Sequence, residues 1–510
     1  MAISEGVSKK TSYEDALDLS GFGKYNVGML ASCCLLILAM YLDIFGFSVV
    51  LPAMACDMNL DTAQQGMLSA MPLIGVLVSS YGWGLCADTI GRRRTLLIAM
   101  PIGFVLSLVS TMAPDYISLA VLKLLSVSFS TAANAAAFVL LAESVPRRHR
   151  SRFMFLMASA TMFVQFIICI FALPIFKLTF SIHIGFLNME YRPWRLLLQV
   201  ITLPHGLGTL AMVLLKESPK FLLSKDRSDE ALKVFKSIYA SNTGCPKDSY
   251  SAMHVYLDET TVASTETSMV KKMWNQTAPL FKPPLLKNSA ILYYLLLCAY
   301  MTSTGFTMFV PTVTNAFFTG AETQGLTFCE VARTSTSAHK VPSIDCNHTI
   351  QPMALYATIV YSLASTFLMI SLSFVAPYVG KKKMTLAIFT VSSLSGVLLT
   401  FIRIPMLSIA LFFIFLYVAQ ILANVNTYLV ELNPTHLRGM ATCLSVVVAR
   451  GFGFFSVHII AMLLGDHCTP MLSGYIVLVI SGFLVATFLP SDSKSKKEQN
   501  QVVSRDAENP

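Results

Sequence analysis

The sequence predicts an all-α integral membrane protein whose twelve transmembrane helices form two pseudo-symmetric six-helix bundles. Three observations carry that expectation. The 510 residues are 55% hydrophobic and only 13% charged, with a mean hydropathy of +0.63, too few charges to cover a water-soluble globule of this size. The apolar residues collect into stretches near 27–50, 64–87, 95–113, 117–142, 153–175, 196–215, 289–310, 352–375, 384–402, 407–430, 440–464 and 471–489. Each is long enough, at about 1.5 Å per residue, to cross a hydrocarbon layer of roughly 30 Å. Finally, one pattern of charges occurs twice. GRRR at Gly91 to Arg94 precedes Glu143-x-x-Pro146-x-x-x-Arg150, and GKKK at Gly380 to Lys383 precedes Glu431-x-x-Pro434-x-x-x-Arg438, at offsets of 289 and 288 residues. A six-helix unit copied once and kept in step predicts halves that rock about a site lying between them.

Residues 1–26 are polar and carry Glu14, Asp15 and Asp18. They lack the basic, apolar and small-residue succession of a cleaved signal, so the first span is expected to direct insertion. The first bundle is expected over 27–215, a cytoplasmic loop over 216–288, the second bundle over 289–489 with an extracellular loop at 311–351, and a cytoplasmic tail over 490–510. Basic loops at 92–94, 147–152, 216–288, 381–383 and 494–497 fall on one side, whereas 51–63 has no Lys or Arg. The positive-inside rule then puts both termini in the cytoplasm, in a plasma or vesicle membrane. Lys177, Arg192 and Arg195, in the loop 177–195, run against it. The net charge of +9 sits in short loops and makes no single stripe, so nucleic acid is not an expected partner.

Of 11 cysteines, Cys329 and Cys346 share the outer loop beside the sequon Asn347-His348-Thr349. This predicts a bridge between them and a glycan on Asn347. Sequence alone does not fix connectivity, and Cys56 and Cys468, also outside, offer alternative pairings. The sequon at Asn275 is on the cytoplasmic side and is expected to stay bare. Within 216–288, Ala231, Leu232, Phe235, Ile238 and Tyr239 recur at helical spacing after Ser228-Asp-Glu, with Gly244 beyond the stop. That predicts an amphipathic helix under the bundle, capped by Ser228. Residues 256–270 are expected to be flexible, and the lysines of the tail to attract anionic lipid weakly.

Between the second and third spans stands Gly84-x-x-x-Asp88-x-x-Gly91-Arg92-Arg93-Arg94. Gly84 permits close helix approach, Gly91 a tight reversal, and Arg92 and Arg93 anchor the turn. Asp88, at a helix end near the membrane boundary, is costly without a partner. With the two E-x-x-P-x-x-x-R repeats, the loop resembles the signature of the major facilitator superfamily and implies that fold. The resemblance also implies that Asp88 meets the start of the eleventh helix and Arg92 meets Glu143, in one latch closing the cytoplasmic side with Arg150, Glu431 and Arg438 in support. Pro377 stands where the repeat would put Asp88 in the second half, so the latch is expected to be one-sided. A narrower resemblance rests on LDLSGFGKY from Leu17, YGWGLCADTIGRRR from Tyr81, PWRLLLQVITLP from Pro193, KESPKFLLSKDRSDEALKVF from Lys216 and ELNPTHLRGMA from Glu431. These segments are similar to the synaptic vesicle glycoprotein 2 family and its organic-ion transporter relatives. This chain has neither the long N-terminus nor the large luminal domain typical of that glycoprotein.

Asp43 is the acid deep in the first span, and an intramembrane carboxylate is expected to pair, bind a cation or take up a proton. A structural hydrogen bond to a neighbouring helix is the competing role. Gln420, Asn424 and Thr427 form a polar stripe on the tenth span. Asn134, Gln165 and Tyr300 are weaker candidates, better suited to joining helices. Arg450, deep in the eleventh span, is expected either to hold an anionic substrate or to neutralise Asp43 when the cavity is empty. Lys123 and His205 read as structural. The sequence holds no phosphate-binding glycine loop, metal-ligand spacing or nucleophile elbow, so no enzyme, cofactor or metal is expected and energy comes from a gradient. The fifth span has no glycine and the tail no PETKG-like ending, which demotes drug/proton antiport and sugar transport. The expected function is secondary transport of a small organic ion or solute by a monomer, coupled to H+ or Na+. A non-transporting binding or scaffold protein of the same fold is the alternative.

Overall fold

The computed structural model describes residues 10–186, 188–257, 277–283, 285–319, 325–338, 350–433 and 435–490. Among the described residues, twelve helices are long and apolar enough to cross a membrane: Lys24–Asp57, Ala63–Ile90, Arg92–Ser110, Tyr116–Ala142, Arg147–Ile175, Pro193–Leu214, Leu286–Phe318, Pro352–Leu372, Lys381–Phe401, Pro405–Leu429, Leu444–Leu463 and Cys468–Ala486. Their ends follow local chemistry. Asp61 accepts from the Gln64 amide at 2.7 Å while Gln64 accepts from the Asp61 amide, a capping box that starts the second span. Asp115 takes the amides of Ile117 and Ser118 and starts the fourth. Gly91 and Gly380, at repeat-related positions, turn the chain with φ of 110° and 90°, a backbone region that strains any residue with a Cβ.

Within the first half, the first span packs on the sixth, and the third on the fourth and sixth. In the second half the seventh packs on the eleventh and twelfth, and the ninth on the tenth and twelfth. The halves meet where the second span lies along the eleventh, the fifth along the eighth and the first along the seventh.

Several expected continuous spans are broken. The fourth is interrupted at Thr131, between Tyr116–Ser130 and Ala132–Ala142. The tenth carries a 3-10 segment at Tyr417–Gln420. Adding the repeat offset to Thr131 lands inside that segment, so the two breaks are the same feature in both halves. At Thr131 the hydroxyl bonds back to Val127 O at 2.7 Å, a contact that bends helices. The fifth span carries a further 3-10 turn at Thr161–Phe163.

Two of the basic residues that opposed the topology rule, Arg192 and Arg195, have local partners. Arg192 pairs with Asp57 at 2.9 Å and Glu190 at 2.6 Å, and buried Arg195 donates to Thr111 O and Ala113 O at the end of the third span. They hold the ends of the first, third and sixth spans together.

The disulfide expectation needs correction. Cys329 is bonded to Cys468, at the start of the twelfth span, with a Cα separation of 5.4 Å, and so not to Cys346. The helix Phe328–Ala338 buries Phe328 and Val331 against the second bundle, which carries Cys329 to the mouth of the last span. Cys56 is also disulfide-bonded. Cys346 and Asn347 lie outside the described residues.

Beneath the first bundle, a second small core gathers Tyr13, Ala16 and Leu17 with Phe221, Ala231, Phe235, Tyr250 and Val255. The N-terminal strand Lys10–Ser12 pairs in parallel with His254–Tyr256. The amphipathic helix forms over Ser228–Thr243 and ends at Gly244 with φ of 77°. Its N-cap is Arg227 without a side-chain cap bond, so Ser228 opens the helix instead of capping it. Arg227 grips Glu230 with two bonds of 2.8 and 2.6 Å and fixes the first turn.

Candidate functional site

Asp43 lies near the midpoint of the first span and is buried inside the first bundle. Lys123 of the fourth span donates to it in a buried ion pair. Ser126 and Ser107 add hydroxyl donors at 2.5 and 2.7 Å. Lys123 and Ser126 are one turn apart on the same face, so one helix supplies both a cation and a hydroxyl. Thr202 and His205 of the sixth span complete the wall of a cavity of about 10 Å³, a volume near that of a single water site. His205 is buried, with its Nε2 free of any described hydrogen-bond partner. The chamber is too small for an organic solute and suits a water or a proton. Asp43 therefore pairs with Lys123 and not with Arg450. Sequence reasoning names Lys123 only as structural and misses Ser107 and Ser126, although Lys123, Ser126 and Ser130 do make a polar stripe at helical spacing.

Arg450 lies midway along the eleventh helix and is only 4% exposed. It donates to the Tyr41 hydroxyl of the first span at 3.1 Å and stacks on that ring at 5.4 Å. Tyr41 in turn stacks on Phe45, and Tyr300 of the seventh span interacts electrostatically with both Arg450 and Tyr41. This cation thus stands where the halves touch, and no carboxylate reaches it among the described residues. Burying an arginine with phenolic partners alone is expensive, and a bound anion would offset that cost.

The tenth-span stripe points elsewhere. Gln420 donates to Ser365 O of the eighth span at 3.3 Å and Asn424 to the Thr385 hydroxyl of the ninth at 3.2 Å, so both join helices within the second bundle. Thr427 is exposed. Asn134 is half-buried just beyond the break at Thr131. Gln165 bonds Ser48 at 3.1 Å and ties the fifth span to the first.

At the GRRR turn, Arg92 meets Glu143 at 3.2 Å and lies 5.1 Å over the Phe221 ring. Ser218 also donates to Glu143, and the Tyr13 hydroxyl takes its backbone carbonyl. Burial pushes the Glu143 carboxyl above its ordinary value, with Arg92 and Ser218 pulling the other way. Arg93 and Arg94 give their amides to Glu217, at 2.9 and 3.2 Å, and Arg93 also caps Val213 O. Arg150 is held by both oxygens of Glu14, at 3.1 and 2.7 Å, a partner the repeats did not announce. The Asp88 carboxylate is 71% exposed and pairs with Arg92 of its own half at 3.2 Å. Gly84 likewise has nothing within 4 Å of its would-be Cβ among the described residues. The side chains of Glu431 and Arg438 lie outside the described residues.

The other end of the same helix pair differs. A Cβ at Gly66 would stand 2.3 Å from the Cβ of Ala461, and Ser362 of the eighth span donates to Met162 O of the fifth at 2.8 Å. The second and eleventh spans thus meet closely at the end far from the GRRR turn.

The profile described as Major Facilitator Superfamily matches residues 33–457. The chain belongs to the major facilitator superfamily. This facilitator protein is similar to organic cation/carnitine transporter 7 of Arabidopsis thaliana, 28% identical over 230 residues that cover 45% of the chain and 43% of the relative. It is also similar to synaptic vesicle glycoprotein 2C of Mus musculus, 25% identical, covering 45% and 32%, and to glycoprotein 2B of Rattus norvegicus, 22% identical, covering 60% and 47%. The matches span less than half the length of these relatives. In fold, the inward-open xylose transporter XylE from E. coli aligns with a TM-score of 0.66 at 15% identity, covering 94% of the chain and 100% of that structure. Membership and fold make this facilitator a secondary-transporter type of membrane protein and not an enzyme.

Proposed function

We propose that the protein transports a small organic solute bearing a carboxylate by alternating access, with Arg450 as the anchor for the negative group and Asp43 as the proton-coupling site. The observation that carries this reading is Arg450, buried where the bundles touch with only Tyr41 as its direct described partner. The alternative of an exclusively cationic substrate lost its acid, because Asp43 is neutralised by Lys123 inside the first bundle. Tyr41 over Arg450, with Phe45 stacked on it and Tyr300 nearby, would offer aromatic faces to the cationic end of a zwitterion. The similarity to an organic cation/carnitine transporter of Arabidopsis thaliana agrees with that chemistry.

Proton uptake on Asp43 would break its pair with Lys123 and leave a buried ammonium, so the bundle gains a reason to rearrange. On this reading the GRRR turn faces the cytoplasm and the structure is inward-facing. Uptake into proteoliposomes tests both roles. Arg450→Gln is expected to abolish uptake of a carboxylate substrate, while Asp43→Asn is expected to lose accumulation driven by a pH gradient and keep exchange at equal pH. Full gradient-driven accumulation by Asp43→Asn would remove the proton role. Cysteine labelling that found the central space open to one side under every gradient would support the non-transporting alternative.

A further inference from the structure

A second cavity lies outside the bundle, between the GRRR turn and the amphipathic helix Ser228–Thr243. It measures about 280 Å³, and its charged lining comprises Arg93, Arg94, Arg227, Lys233, Glu217 and Glu230. Four cations face two acids, and both acids are already engaged. Glu217 accepts the amides of Arg93 and Arg94, and Glu230 holds Arg227 in a two-bond pair. Arg94 and Lys233, from opposite walls, keep their charged ends uncommitted, as neither has a described ion-pair partner. Arg93 adds a buried Nε without a hydrogen-bond partner.

The cleft also adjoins exposed apolar surface at the end of the sixth span. Arg93 reaches Val213 O at 2.8 Å, and Val213 and its neighbour Leu214 are 54% and 80% exposed at the end of the sixth span. Phe221 and Val234 supply an apolar floor. A ligand here meets guanidinium forks and an ammonium beside the end of a membrane-length apolar helix.

We propose that this cleft binds a multiply phosphorylated group, presented as the headgroup of an anionic lipid such as a phosphoinositide. The lipid source rests on the cytoplasmic orientation proposed above; the phosphate chemistry does not. It would link Arg94 of the turn to Lys233 of the amphipathic helix, two cations that otherwise repel each other, and add to the tie that Glu217 already makes.

The full chain in nanodiscs tests this by equilibrium binding of short-chain phosphatylinositol 4,5-bisphosphate, free inositol 1,4,5-trisphosphate and phosphatidylserine, read by native mass spectrometry. Arg94→Gln, Lys233→Gln and their double variant are compared with Lys247→Gln, outside the cleft. The bisphosphate lipid is expected to bind the wild type and Lys247→Gln alike, and the double variant about tenfold or more weakly. Binding of the lipid but not the free trisphosphate assigns the membrane source, and equal binding of both assigns a soluble phosphate at the same site. No binding of either, or binding untouched by the Arg94 and Lys233 changes, overturns the proposal. Because both side chains lie on a surface cleft, unchanged monodispersity of each single variant separates lost binding from lost fold. Transport assays are not part of the readout, so failure here leaves the function of Arg450 standing.

Discussion

Lys123 of the fourth span donates to Asp43 of the first, and the pair is sealed within one bundle instead of bridging the two. A buried pair tolerates removal of both charges far better than removal of one. Asp43→Ala or Lys123→Ala alone is expected to cost about 3–5 kcal/mol of stability, while Asp43→Asn with Lys123→Met recovers most of it. Thermal unfolding in detergent checks this, and a double variant as unstable as the singles would contradict it.

Glu143 gives a pH dependence of known sign. Burial raises its carboxyl above the ordinary 4.5, so the folded protein binds that proton more tightly than the unfolded chain does. The associated stability is fully present below the ordinary value and is lost as pH rises through the raised one. Wild type is therefore expected to lose stability relative to Glu143→Gln across the range just above pH 4.5. A stability difference that stays flat with pH, or slopes the other way, would refute this.

The contact of Gly66 with Ala461 closes the face opposite the GRRR turn. Gly66→Val forces these helices apart and should shift the population toward molecules open on that face. Alkylation of a cysteine introduced at Ser69, buried in the same helix, is expected to speed up several-fold in the valine variant. Unchanged labelling would show that the face closes elsewhere.

Pairing of Cys329 with Cys468 closes a loop with a sequence separation of 139. Loss of such a crosslink typically costs about 2–5 kcal/mol. Cys468→Ser should therefore lower the melting temperature and expose Cys329 to maleimide in non-reducing mapping. Protected Cys329 in that variant would argue for another partner.

The spans and the doubled turn were legible because lipid imposes length and apolarity one helix at a time, and because Gly91 and Gly380 need a backbone that local sequence announces. Which face of each helix points inward was not legible. Asp43 meets Lys123, Asn424 meets Thr385, and Arg450 meets Tyr41 only after twelve helices have chosen their rotations about their own axes. The Glu14 to Arg150 contact was hidden for a related reason, since the short helix Tyr13–Leu19 finds its place against a core built from residues more than two hundred positions later. Cysteine connectivity is a matter of three-dimensional reach, which the spacing of Cys329 and Cys346 along the chain does not report.

The strand Lys10–Ser12 finds its mate in His254–Tyr256, and this orders events on the ribosome. That segment emerges early yet waits until the middle of the chain has been translated. A nascent first half released too soon would display Tyr13 and Leu17 bare to solvent, an invitation to quality control; only a chain past its midpoint can tuck them away.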